Sequence, residues 1–424
     1  MLDIKFIREN SNSITEAIKN KGVDLNIDEL LELDDKRREL IQKTEKIKSE
    51  QKKLGEKDKV KAGKIKKEFK KLNRELKKIQ DRYEELMLLV PNIYSDDTPI
   101  GPDESANREI SRCGKIPKFN FPIKDHIQLG KDLDLIDIEK GVKTSGFRGY
   151  YLKNEAVLIQ FALMQHALEE LRKKSFTLMI PPTILREFAL IGSGHFPEGK
   201  KEIYQIANPG RLVDGKEIKE KFFLAGTSEP PLLAYYTNAV LDEKRLPIKL
   251  AGFSQCYRSE VGSYGKDTKG LYRLHEFMKI EQIVICRADL EESHRLFDEI
   301  GENAKEILKE LKLPYRVVQV CTGDMGAGKY EMRDIETWMP SRQSYGETHS
   351  NSSLTDWQAR RLNIKYKTKN GEKKFVFTLN NTMIASPRIL IAILENYQQK
   401  DGSVMIPQVL QPYLKGLKKI ERKK

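Results

Sequence analysis

Cysteine is scarce in this chain, and the four cysteines, at positions 113, 256, 286 and 321, show no CxxC spacing and no paired histidine. A disulfide framework or a structural zinc site is therefore not expected, and a reducing cytoplasm is the simplest compartment. Long apolar runs are also missing, since none approaches the ~20 residues that span a bilayer. The opening residues MLDIKFIREN lack the pattern of a signal peptide. We therefore expect a soluble cytoplasmic protein with no membrane partner and no zinc.

Two common phosphate-binding signatures are absent as well. The chain has no GxxxxGK[ST] loop and no GxGxxG opening a helix, so neither of the common parallel-sheet nucleotide folds is supported. The stretch GDMGAGK at 323–329 looks superficially like such a loop, but we interpret it as a turn. Strand patterns that follow one another as hairpins, with helices between some of them, instead predict an α+β fold built on an antiparallel sheet.

Acidic residues are few in one segment only. Residues 36–80 hold 19 Lys and Arg against 7 Asp and Glu, which supplies +12 of the chain's net charge of +13. Phosphate binding gains from counterion release, so this imbalance is typical of a nucleic-acid contact that follows the backbone and recognises shape. The alternative is a solvated helical arm whose lysines only confer solubility, although solvated faces usually mix both signs.

The same segment carries a heptad pattern. Apolar residues recur in steps of four and three at Ile65, Phe69, Leu72, Leu76, Ile79, Tyr83, Leu86 and Val90. Residues 27–54 repeat the step with a polar residue at every second position, and 55–59 resemble a turn. The pattern predicts an antiparallel helical hairpin over residues 27–90. Its legs of about 28 residues would be roughly 40 Å long.

A stretch rich in Pro, Gly, Asp and Asn at 91–123 indicates a domain boundary. We predict an N-terminal domain at 1–105 and a second domain at 106–424. In the second domain the apolar periodicity predicts helices at 155–174, 290–311 and 388–399. It also predicts strands at 176–180, 222–226, 248–254, 271–287, 315–321, 334–338 and 374–379.

The most informative stretch is 253–282, FSQCYRSEVGSYGKDTKGLYRLHEFMKIEQ. Arg258 precedes a loop rich in Gly and Lys, and Arg273, Phe277 and Glu281 follow it on an alternating run. Because alternate residues of a strand share one face, we expect these three side chains to share a surface with Arg258 across a hairpin. A guanidinium, a flat aromatic and a carboxylate on one wall suit a phosphate, a purine face and a small polar or cationic group. The alternative is an amphipathic hairpin with ordinary surface charges.

With this hairpin, essentially the whole chain resembles the bacterial-type seryl-tRNA synthetases, a family of class II aminoacyl-tRNA synthetases. Class II motif 1 is similar to residues 155–182, which would make Pro182 the dimer-interface proline. Motif 2 is the hairpin, and motif 3 is similar to residues 378–388, which end at Arg388. More specific matches are AGTSE at 225–229, YGETHS at 345–350 and TDWQARR at 355–361.

The resemblance implies a class II catalytic domain, an antiparallel sheet with surrounding helices, and an N-terminal coiled-coil arm that binds tRNA. It implies an ATP-dependent serine–tRNA ligase that forms seryl-adenylate from L-serine and ATP. Serine would then pass to the 3'-terminal adenosine of tRNA(Ser), with tRNA(Sec) left open as a further substrate. Mg²⁺ would accompany the ATP, and the protein would be a homodimer.

The resemblance assigns the nucleotide mainly to two catalytic arginines. Arg258 would hold the ATP α-phosphate and the serine carboxylate, and Arg388 would hold the γ-phosphate with help from Arg273. Phe277 would stack under the adenine, and Glu260 together with the Leu274 backbone would read the edge of the base. The remaining residues assigned to ATP are Ser259, Glu260, Leu274, Glu347, Thr348, His349 and Ser350.

The implied serine pocket is small and polar. Glu281 would accept the serine hydroxyl, and Glu229 would accept the ammonium group. Thr227 and Thr382 would complete the pocket, although Thr382 could instead be a simple strand-end cap. Glu347 and Ser350 would hold Mg²⁺ between the phosphates, because oxygen ligands suit that hard ion. The full serine-binding set is Thr227, Ser228, Glu229, Arg258, Glu281, Asn380 and Thr382.

The arm is assigned the tRNA, and the chain departs from the family pattern in three places. Ser175 stands where motif 1 usually has Gly, Ser228 stands where Ala is usual, and the arm is shorter than in typical bacterial members. His195 and His349 are left open between substrate contact and a structural role. The predicted tRNA contacts are Lys36, Arg37, Lys43, Lys46, Lys52, Lys53, Lys64, Lys67, Lys70, Lys71, Arg74 and Lys78.

Two other classes of function stay open beside the ligase. One is a catalytically lapsed relative that only binds tRNA. The intact set of five charged residues argues against it: Arg258, Glu260, Glu281, Glu347 and Arg388. The other is a synthetase-like ligase that loads an amino acid on a carrier protein, against which the arm argues. Pyrophosphate release with serine and ATP, with and without tRNA, separates the three.

Overall fold

The computed structural model describes residues 1–53, 59–208, 210–211, 213–261 and 269–422, without the side chains of residues 52–53 and 59–62. The chain divides into two compact units, Met1–Ile93 and Tyr94–Lys424. Most of the predicted turn at 55–59 lies outside the described residues, as do Gly262, Gly265 and Lys266 of the predicted loop. The functional domain limits 1–105 and 106–424 stay a prediction.

The helices of the described chain are α1 (Ile4–Glu9), α2 (Ser11–Asn20), α3 (Ile27–Lys53), α4 (Lys59–Leu89), α5 (His126–Asp132), α6 (Ile138–Ser145), α7 (Asn154–Lys173), α8 (Glu187–Ser193), α9 (Glu229–Ala234), α10 (Leu290–Glu310), α11 (Trp357–Leu362) and α12 (Ser386–Asn396). Short 3-10 turns lie at Glu104–Ala106, Glu198–Glu202, Glu243–Arg245, Pro340–Arg342 and Gln408–Leu414.

The strands of the described chain are β1 (Arg108–Cys113), β2 (Ile136–Asp137), β3 (Tyr151–Leu152), β4 (Thr177–Met179), β5 (Ile184–Arg186), β6 (Phe222–Leu224), β7 (Val240–Asp242), β8 (Ile248–Tyr257), β9 (Glu276–Cys286), β10 (Tyr315–Gln319), β11 (Glu331–Met339), β12 (Ser344–Ser353), β13 (Lys365–Lys367), β14 (Lys373–Phe375), β15 (Phe377–Ala385), β16 (Val404–Met405) and β17 (Lys419–Ile420).

The predicted helical hairpin is confirmed as α3 and α4 of the first unit. An ion pair of 2.9 Å joins Glu29, near the start of α3, to Arg82, near the end of α4, so the helices run antiparallel. The heptad positions face the seam: Leu30, Leu40 and Leu86 are buried there, while most neighbouring lysines are exposed. The hydrophobic contact between the two seams explains how so basic a segment holds a fixed shape.

The second unit is built on an eight-stranded sheet, in the order β1-β10-β11-β12-β15-β9-β8-β4. Neighbouring strands are antiparallel throughout this order except β4, which runs parallel to β8 at one edge. This confirms the predicted antiparallel sheet and adds one parallel edge strand. Helices α7, α10 and α12 contribute to one hydrophobic core against the sheet.

Alternation along β9 separates this core from a polar face. Ile280 and Val284 belong to the core shared with the helices, and Gln282 donates a hydrogen bond of 3.0 Å to the Ile300 carbonyl of α10. Phe277 and Lys279, on the opposite face, line a cavity. The pleat of a single strand therefore supplies both the core and the wall of a site.

Several predicted element limits need correction. The strand predicted at 271–287 begins only at Glu276, because residues 271–275 turn so that the His275 carbonyl accepts the Arg258 N–H at 2.9 Å. The strand predicted at 374–379 is two strands, β14 and β15, and β15 continues to Ala385. Strand β12 was not predicted, because its sequence SYGETHSNSS is polar although much of it is buried. Hydrogen bonds such as Asn351 Nδ2 to the Phe297 carbonyl (2.9 Å) stabilise its buried polar groups.

Candidate active site

Most of the predicted nucleotide residues line one cavity in the second unit. They come from three distant parts of the chain: the β8–β9 hairpin, strand β12, and the junction of β15 with α12. The antiparallel order β12-β15-β9-β8 brings these segments side by side. The lining residues are Arg258, Glu260, Leu271, Tyr272, Arg273, Leu274, Phe277, Lys279, Glu347, Thr348, Thr382, Ala385, Pro387 and Arg388.

Arg258 follows directly on β8 and is held from two sides. Its Nε donates a hydrogen bond of 3.2 Å to the Gly226 carbonyl. Its guanidinium carbon lies 5.4 Å from the centroid of the Phe277 ring, which stands on the paired strand. These contacts orient a permanent positive charge beside a flat aromatic face, as alternation along the hairpin predicted.

A second arginine reaches the cavity from the turn before β9. Arg273 Nη1 lies 3.4 Å from Glu260 Oε2, and Arg148 Nη1 lies 3.3 Å from the same oxygen. The Arg148 side chain is 3 % exposed, so its charge is nearly removed from solvent. Glu260 is therefore fixed by two guanidinium groups, and the pair of arginines makes this end of the cavity positive.

Arg388 stands in the first turn of α12 and contacts Glu347 of β12 and Tyr272. Its Nη1 donates to the Glu347 carbonyl at 2.9 Å and lies 3.1 Å from Glu347 Oε2, and its Nε donates to the Tyr272 carbonyl at 3.3 Å. Burial is the largest effect and lowers the pKa of Arg388, but the charge and hydrogen bond of Glu347, together with Tyr272 and Glu260, outweigh it and raise that pKa. The guanidinium thus stays charged and aimed into the cavity.

Glu347 shares one face of β11 and β12 with three further oxygen-bearing side chains. In the ladder Asp334 is paired with Ser350, and Glu336 is paired with Glu347 after a bulge, so all four side chains project from one face. Asp334 Oδ1 is buried with no hydrogen-bond partner in the described chain. Burial and the charge of Glu347 raise the pKa of Asp334 well above its usual range. Burial is also the largest effect on Glu347, but the charge and hydrogen bond of Arg388, together with the charges of Arg258 and Arg273, outweigh it and lower the Glu347 pKa.

A second group of polar residues surrounds Glu229 at the start of α9, and Glu229 lines a separate cleft with His195 and Lys329. Glu229 Oε1 accepts hydrogen bonds from Gln358 Nε2 (2.6 Å) and Asn380 Nδ2 (2.9 Å). Burial is the largest effect and works against ionisation, yet nearby positive charge, chiefly that of Lys329, and the hydrogen bond from Gln358 together outweigh it and lower the pKa of Glu229. The result is a buried carboxylate held ionised by two amides and nearby positive charge.

Glu281 lies on β9. It forms an ion pair with Lys279, and Thr382 Oγ1 donates to Glu281 Oε2 at 3.4 Å. The side chains of Lys279 and Glu281 are 5 % and 3 % exposed, so the pair is almost completely desolvated. Lys279 lines the cavity while Glu281 lies behind it, which alternation alone did not predict.

Eight of the predicted ATP and serine residues do not line this cavity: Thr227, Ser228, Glu229, Ser259, Glu281, His349, Ser350 and Asn380. Ser228 is fully buried, and its Oγ lies 2.7 Å from Ser254 Oγ and 3.2 Å from the Gly252 carbonyl, so the hydroxyl that replaces the usual Ala hydrogen-bonds within the protein. Ser259 Oγ donates to the Lys201 carbonyl at 2.9 Å. His349 is 1 % exposed with its Nδ1 2.8 Å from Thr348 Oγ1, and burial lowers its pKa to about 4. Their roles in substrate binding stay predictions.

An adjoining cleft, open to solvent, shares Arg258 and Arg273 with the cavity and is lined further by His195, Asp324 and Lys329. His195 Nδ1 lies 2.9 Å from Ser193 Oγ, and burial lowers the pKa of this histidine to about 4. Residues 323–329 form a turn with an N–H to carbonyl bond of 3.0 Å between the residues at 329 and 326, which confirms the interpretation of that stretch.

On the arm, the predicted tRNA residues differ in their surroundings. Arg37 donates to Asp34 Oδ1 at 3.0 Å and lies 4.5 Å from the Tyr83 ring, so it helps to hold α3 against α4. Lys36 and Lys43 pair with acidic residues one turn earlier. The side chains of Lys52 and Lys53 lie outside the described part, and Lys46 and Lys64 are exposed. One face of α4 gathers Lys67, Lys70, Lys71, Arg74 and Lys78.

Some contributors to the site were not predicted, although two had a signal in the sequence. Lys279 follows Phe277 by two positions and so shares its strand face, and Gln358 lies within the TDWQARR tract. Asp334 was placed on a strand but its partner strand was missed. Arg148, in a loop with positive φ, has no local pattern that could have indicated it.

Two further features bear on the expected partners. None of the helices in the described ranges is long and apolar enough to cross a membrane. Within the same ranges no group of three or more His, Cys, Asp or Glu side chains is arranged to hold a metal ion.

The comparisons with known proteins agree over the whole length of the chain. Residues 1–94 match the family model of the seryl-tRNA synthetase N-terminal domain, and residues 212–397 match that of the tRNA synthetase class II core domain (G, H, P, S and T). The chain is 42 % identical to the serine–tRNA ligase of Deinococcus radiodurans, with 98 % of each chain covered. It is 43 % identical to that of Borrelia garinii, with 97 % of this chain and 98 % of the relative covered.

Two solved structures are similar in both sequence and fold. The seryl-tRNA synthetase from Pyrococcus horikoshii complexed with ATP has a TM-score of 0.89 and 35 % identity, with full coverage of both chains. The cytoplasmic serine–tRNA ligase from Naegleria fowleri in complex with AMP has a TM-score of 0.87 and 31 % identity, covering 100 % of this chain and 99 % of that one. The similarity to both structures covers both units of the chain.

Proposed function

Since this chain belongs to the seryl-tRNA synthetase family, we propose that the cavity around Arg258 and Arg388 binds ATP beside a serine pocket at Glu229 and Glu281. The chain is an ATP-dependent serine–tRNA ligase. The observation that carries the assignment of residues is one cavity lined by two arginines, Arg258 and Arg388, and by the Phe277 ring, whose centroid lies 5.4 Å from the Arg258 guanidinium carbon. A triphosphate bridging two fixed guanidinium groups, with its base on an aromatic face, suits this geometry.

In this arrangement Arg258 contacts the α-phosphate and the serine carboxylate, so it neutralises charge at the phosphorus that reacts. Arg388 contacts the γ-phosphate, assisted by Arg273. Phe277 stacks under the adenine, with Glu260 and the Leu274 backbone at the edge of the base. The fixation of Glu260 by Arg148 and Arg273 supports this role, because a carboxylate held from two sides presents its remaining lone pairs in one direction.

Serine would lie between Glu229 and Glu281. The Glu229 carboxylate, kept ionised by surrounding charge, suits the ammonium group, and Asn380 and Thr227 complete that side. Glu281 with Thr382 suits the serine hydroxyl. Binding would require the hydroxyl to compete with Lys279 for Glu281, which favours ligands that can donate a hydrogen bond there.

We propose that Mg²⁺ accompanies the ATP on Glu347 and Ser350. The donor set fits this hard ion, since both residues offer oxygen and the buried Asp334 Oδ1 on the same face has no hydrogen-bond partner in the described chain. When bound, the ion would neutralise phosphate charge and orient the leaving pyrophosphate. Arg388, which contacts Glu347 directly, would keep that carboxylate ionised and in place.

The chemistry needs no nucleophilic side chain. A serine carboxylate oxygen attacks the α-phosphorus, and the bond to the bridging oxygen of pyrophosphate breaks, which leaves seryl-adenylate. A ribose hydroxyl of the 3'-terminal adenosine of tRNA then attacks the serine carbonyl carbon, and AMP leaves. The protein contributes orientation and charge neutralisation through Arg258 and Arg388.

The arm would bind the tRNA. The basic face of α4 presents several positive side chains in a row on a rigid hairpin, which suits phosphate contacts along a duplex. We assign residues 1–105 to tRNA binding and 106–424 to catalysis, with tRNA(Ser) as the substrate and tRNA(Sec) as a further one to be tested.

A homodimer formed through the β4 edge is also proposed. The apolar side chains of Leu158, Phe161, Leu178 and Ile180 are 53 %, 51 %, 39 % and 83 % exposed on α7, on β4 and just after it, close in sequence to Pro182. An apolar patch beside an unpaired strand edge is a typical interface between identical subunits. A cytoplasmic location is consistent with four cysteines that are all free.

Pyrophosphate exchange tests the proposal. With serine and ATP alone the protein should exchange labelled pyrophosphate into ATP, and addition of tRNA should yield aminoacylated tRNA. Binding of tRNA without exchange would instead support the lapsed relative. Exchange with no transfer to tRNA, but transfer to a carrier protein, would support the third class.

A further inference from the structure

His126, the first residue of α5, lies outside the substrate-binding set proposed above, yet it contacts the ATP cavity through the backbone. Its Nδ1 lies 2.9 Å from Glu395 Oε1, and its backbone N–H donates to the same oxygen at 3.0 Å. Glu395 is fully buried near the end of α12 and also accepts from the Ser341 N–H and hydroxyl, at 2.9 Å each. One carboxylate therefore holds the histidine ring in a single orientation.

The other ring nitrogen faces the cavity wall. The Leu271 backbone N–H donates to His126 Nε2 at 3.1 Å. A ring nitrogen that accepts a hydrogen bond carries no proton, so Nε2 is unprotonated. The ring proton therefore lies on Nδ1, which donates it to Glu395. The two contacts thus define one neutral tautomer that joins α12 to the segment at 271–274.

The backbone before Leu271 is shaped to admit the ring. Gly270 has a φ of 80°, and a Cβ placed there would lie 2.1 Å from His126 Nε2. A side chain at this position would therefore meet the imidazole as well as a strained backbone. The close approach of His126 to this glycine is a specific fit between the ring and the turn.

The segment that His126 holds carries cavity residues. Leu271 to Leu274 all line the cavity. The next residue along, Tyr272, accepts from Arg388 Nε through its carbonyl, and its ring lies 4.5 Å from the Arg388 guanidinium. A shift of the Leu271 backbone would therefore move both Arg273 and the surface against which Arg388 rests.

We propose that His126 is a positioning residue for ATP: it ties the Leu271 N–H to Glu395 and so fixes the turn that presents Arg273 to the nucleotide. This inference rests on the proposed nucleotide role of the cavity. The two ends of the His126 ring, Nδ1 towards Glu395 and Nε2 towards Leu271, have different roles. The Glu395 contact orients the ring and supports the fold, whereas the Leu271 contact sets the geometry that ATP meets.

Two substitutions separate these ends. His126→Gln can place an amide oxygen near the position of Nε2 and so keep an acceptor for Leu271. His126→Asn is shorter, keeps a donor near the position of Nδ1 for Glu395, and leaves the Leu271 N–H without its partner. In serine-dependent pyrophosphate exchange by the full chain, we expect His126→Asn to raise the KM for ATP about five- to tenfold, the effect of one lost hydrogen bond. The KM for serine should change less than twofold.

His126→Gln should keep the KM for ATP within about twofold of the wild type, even if its thermal midpoint falls through the lost Glu395 contact. Equal KM values for ATP in the asparagine variant and the wild type would overturn the inference, as would a loss in both variants that follows their thermal midpoints. If the wild type itself shows no serine-dependent exchange, the proposed function fails instead.

Gly270→Ala provides an independent variant. The added methyl group should raise the KM for ATP in the wild-type background. In the His126→Asn background the shorter side chain leaves more room for the added methyl group, so Gly270→Ala should raise the KM for ATP by a smaller factor. Backbone strain from the positive φ is present in both backgrounds and cancels in the comparison. Strictly multiplicative effects on KM would contradict a direct contact between ring and turn.

Discussion

Thr382 and Glu281 face each other across the β15–β9 ladder, and Thr382 Oγ1 lies 3.4 Å from Glu281 Oε2. The register that pairs them also brings Asn381 opposite Gln282, whose amide donates to Asn381 Oδ1 at 2.7 Å. The first pair lies on the cavity side and the second in the core. One strand register therefore sets both the buried hydrogen bond of the core and the polar pair of the proposed serine pocket.

Glu281→Gln should weaken serine binding far more than ATP binding. The substitution keeps the size of the side chain but removes a charged acceptor, and a charged hydrogen bond lost from a closed site costs about 1.5–3 kcal/mol. The KM for serine in pyrophosphate exchange should therefore rise at least tenfold. Glu276→Gln, an exposed glutamate on the same strand, is the control. Comparable losses for both ligands would mean that Glu281 supports the hairpin and not the serine.

Arg388→Ala should lower serine-dependent exchange by about a hundredfold or more, because a charge-assisted contact to phosphate is lost in the transition state. Arg388→Lys should recover only part of that loss, since a point charge does not reproduce the planar fork. Arg342→Ala is a matched control: Arg342 also lies 4.5 Å from the Tyr272 ring, but on the 3-10 turn before β12. A near wild-type rate in Arg388→Ala would remove this residue from the proposed mechanism.

Reversal of charge on the arm should separate tRNA binding from activation. Replacement of Lys67, Lys70, Lys71 and Arg74 by Glu should leave pyrophosphate exchange unchanged and sharply reduce tRNA aminoacylation. The logarithm of tRNA affinity should also fall less steeply with the logarithm of salt concentration, because fewer counterions are released. The same number of reversals at exposed lysines of the second unit, such as Lys115 and Lys143, is the control. Unchanged aminoacylation by the arm variant would contradict the assignment.

Ser175→Gly should stabilise the protein by about 1 kcal/mol, since Ser175 has a φ of 64° and an exposed side chain. This left-handed conformation explains why glycine is usual at this point of motif 1. Ser13→Gly, at an exposed position inside α2, should have the opposite sign and cost about 0.5 kcal/mol. Urea denaturation followed by circular dichroism would show both, and equal shifts would argue against strain at Ser175.

Acid should destabilise the fold partly through His349. Burial lowers its pKa to about 4 from 6.5, so between these values the unfolded chain binds a proton that the folded chain does not. Stability should therefore fall as pH drops from about 6.5 towards 4, and should not change from this cause outside that window. Between pH 7 and pH 5 the loss from this residue is about 2 kcal/mol.

His349→Gln should make the urea midpoint less sensitive to pH over that interval. His294→Gln, at a histidine whose side chain is 53 % exposed, serves as the comparison. If both substitutions changed the pH dependence equally, burial at position 349 would not be the cause.

Local patterns predicted much of the site, although not always for the right reason. Arg258 and Phe277 meet as alternation across the hairpin requires. Arg273 also reaches the cavity, but from a turn and not from the predicted strand. Glu281 shares the strand face and yet lies behind Lys279, because the pair of opposite charges buries both side chains. His349 lies in a motif associated with ATP, but the β12 register turns it into a buried position.

By itself the sequence determined the helical hairpin, the antiparallel class of the sheet and the identity of the principal charged residues. The hairpin and the sheet depend on periodicities of 3.5 and 2 residues, and the charged residues lie in short motifs, all of which are properties of local segments. Only the tertiary structure decided which side chains share a cavity. The contacts that complete it, such as the Leu271 N–H to His126, join positions 145 residues apart, and no local pattern encodes which distant strand or helix a residue will meet.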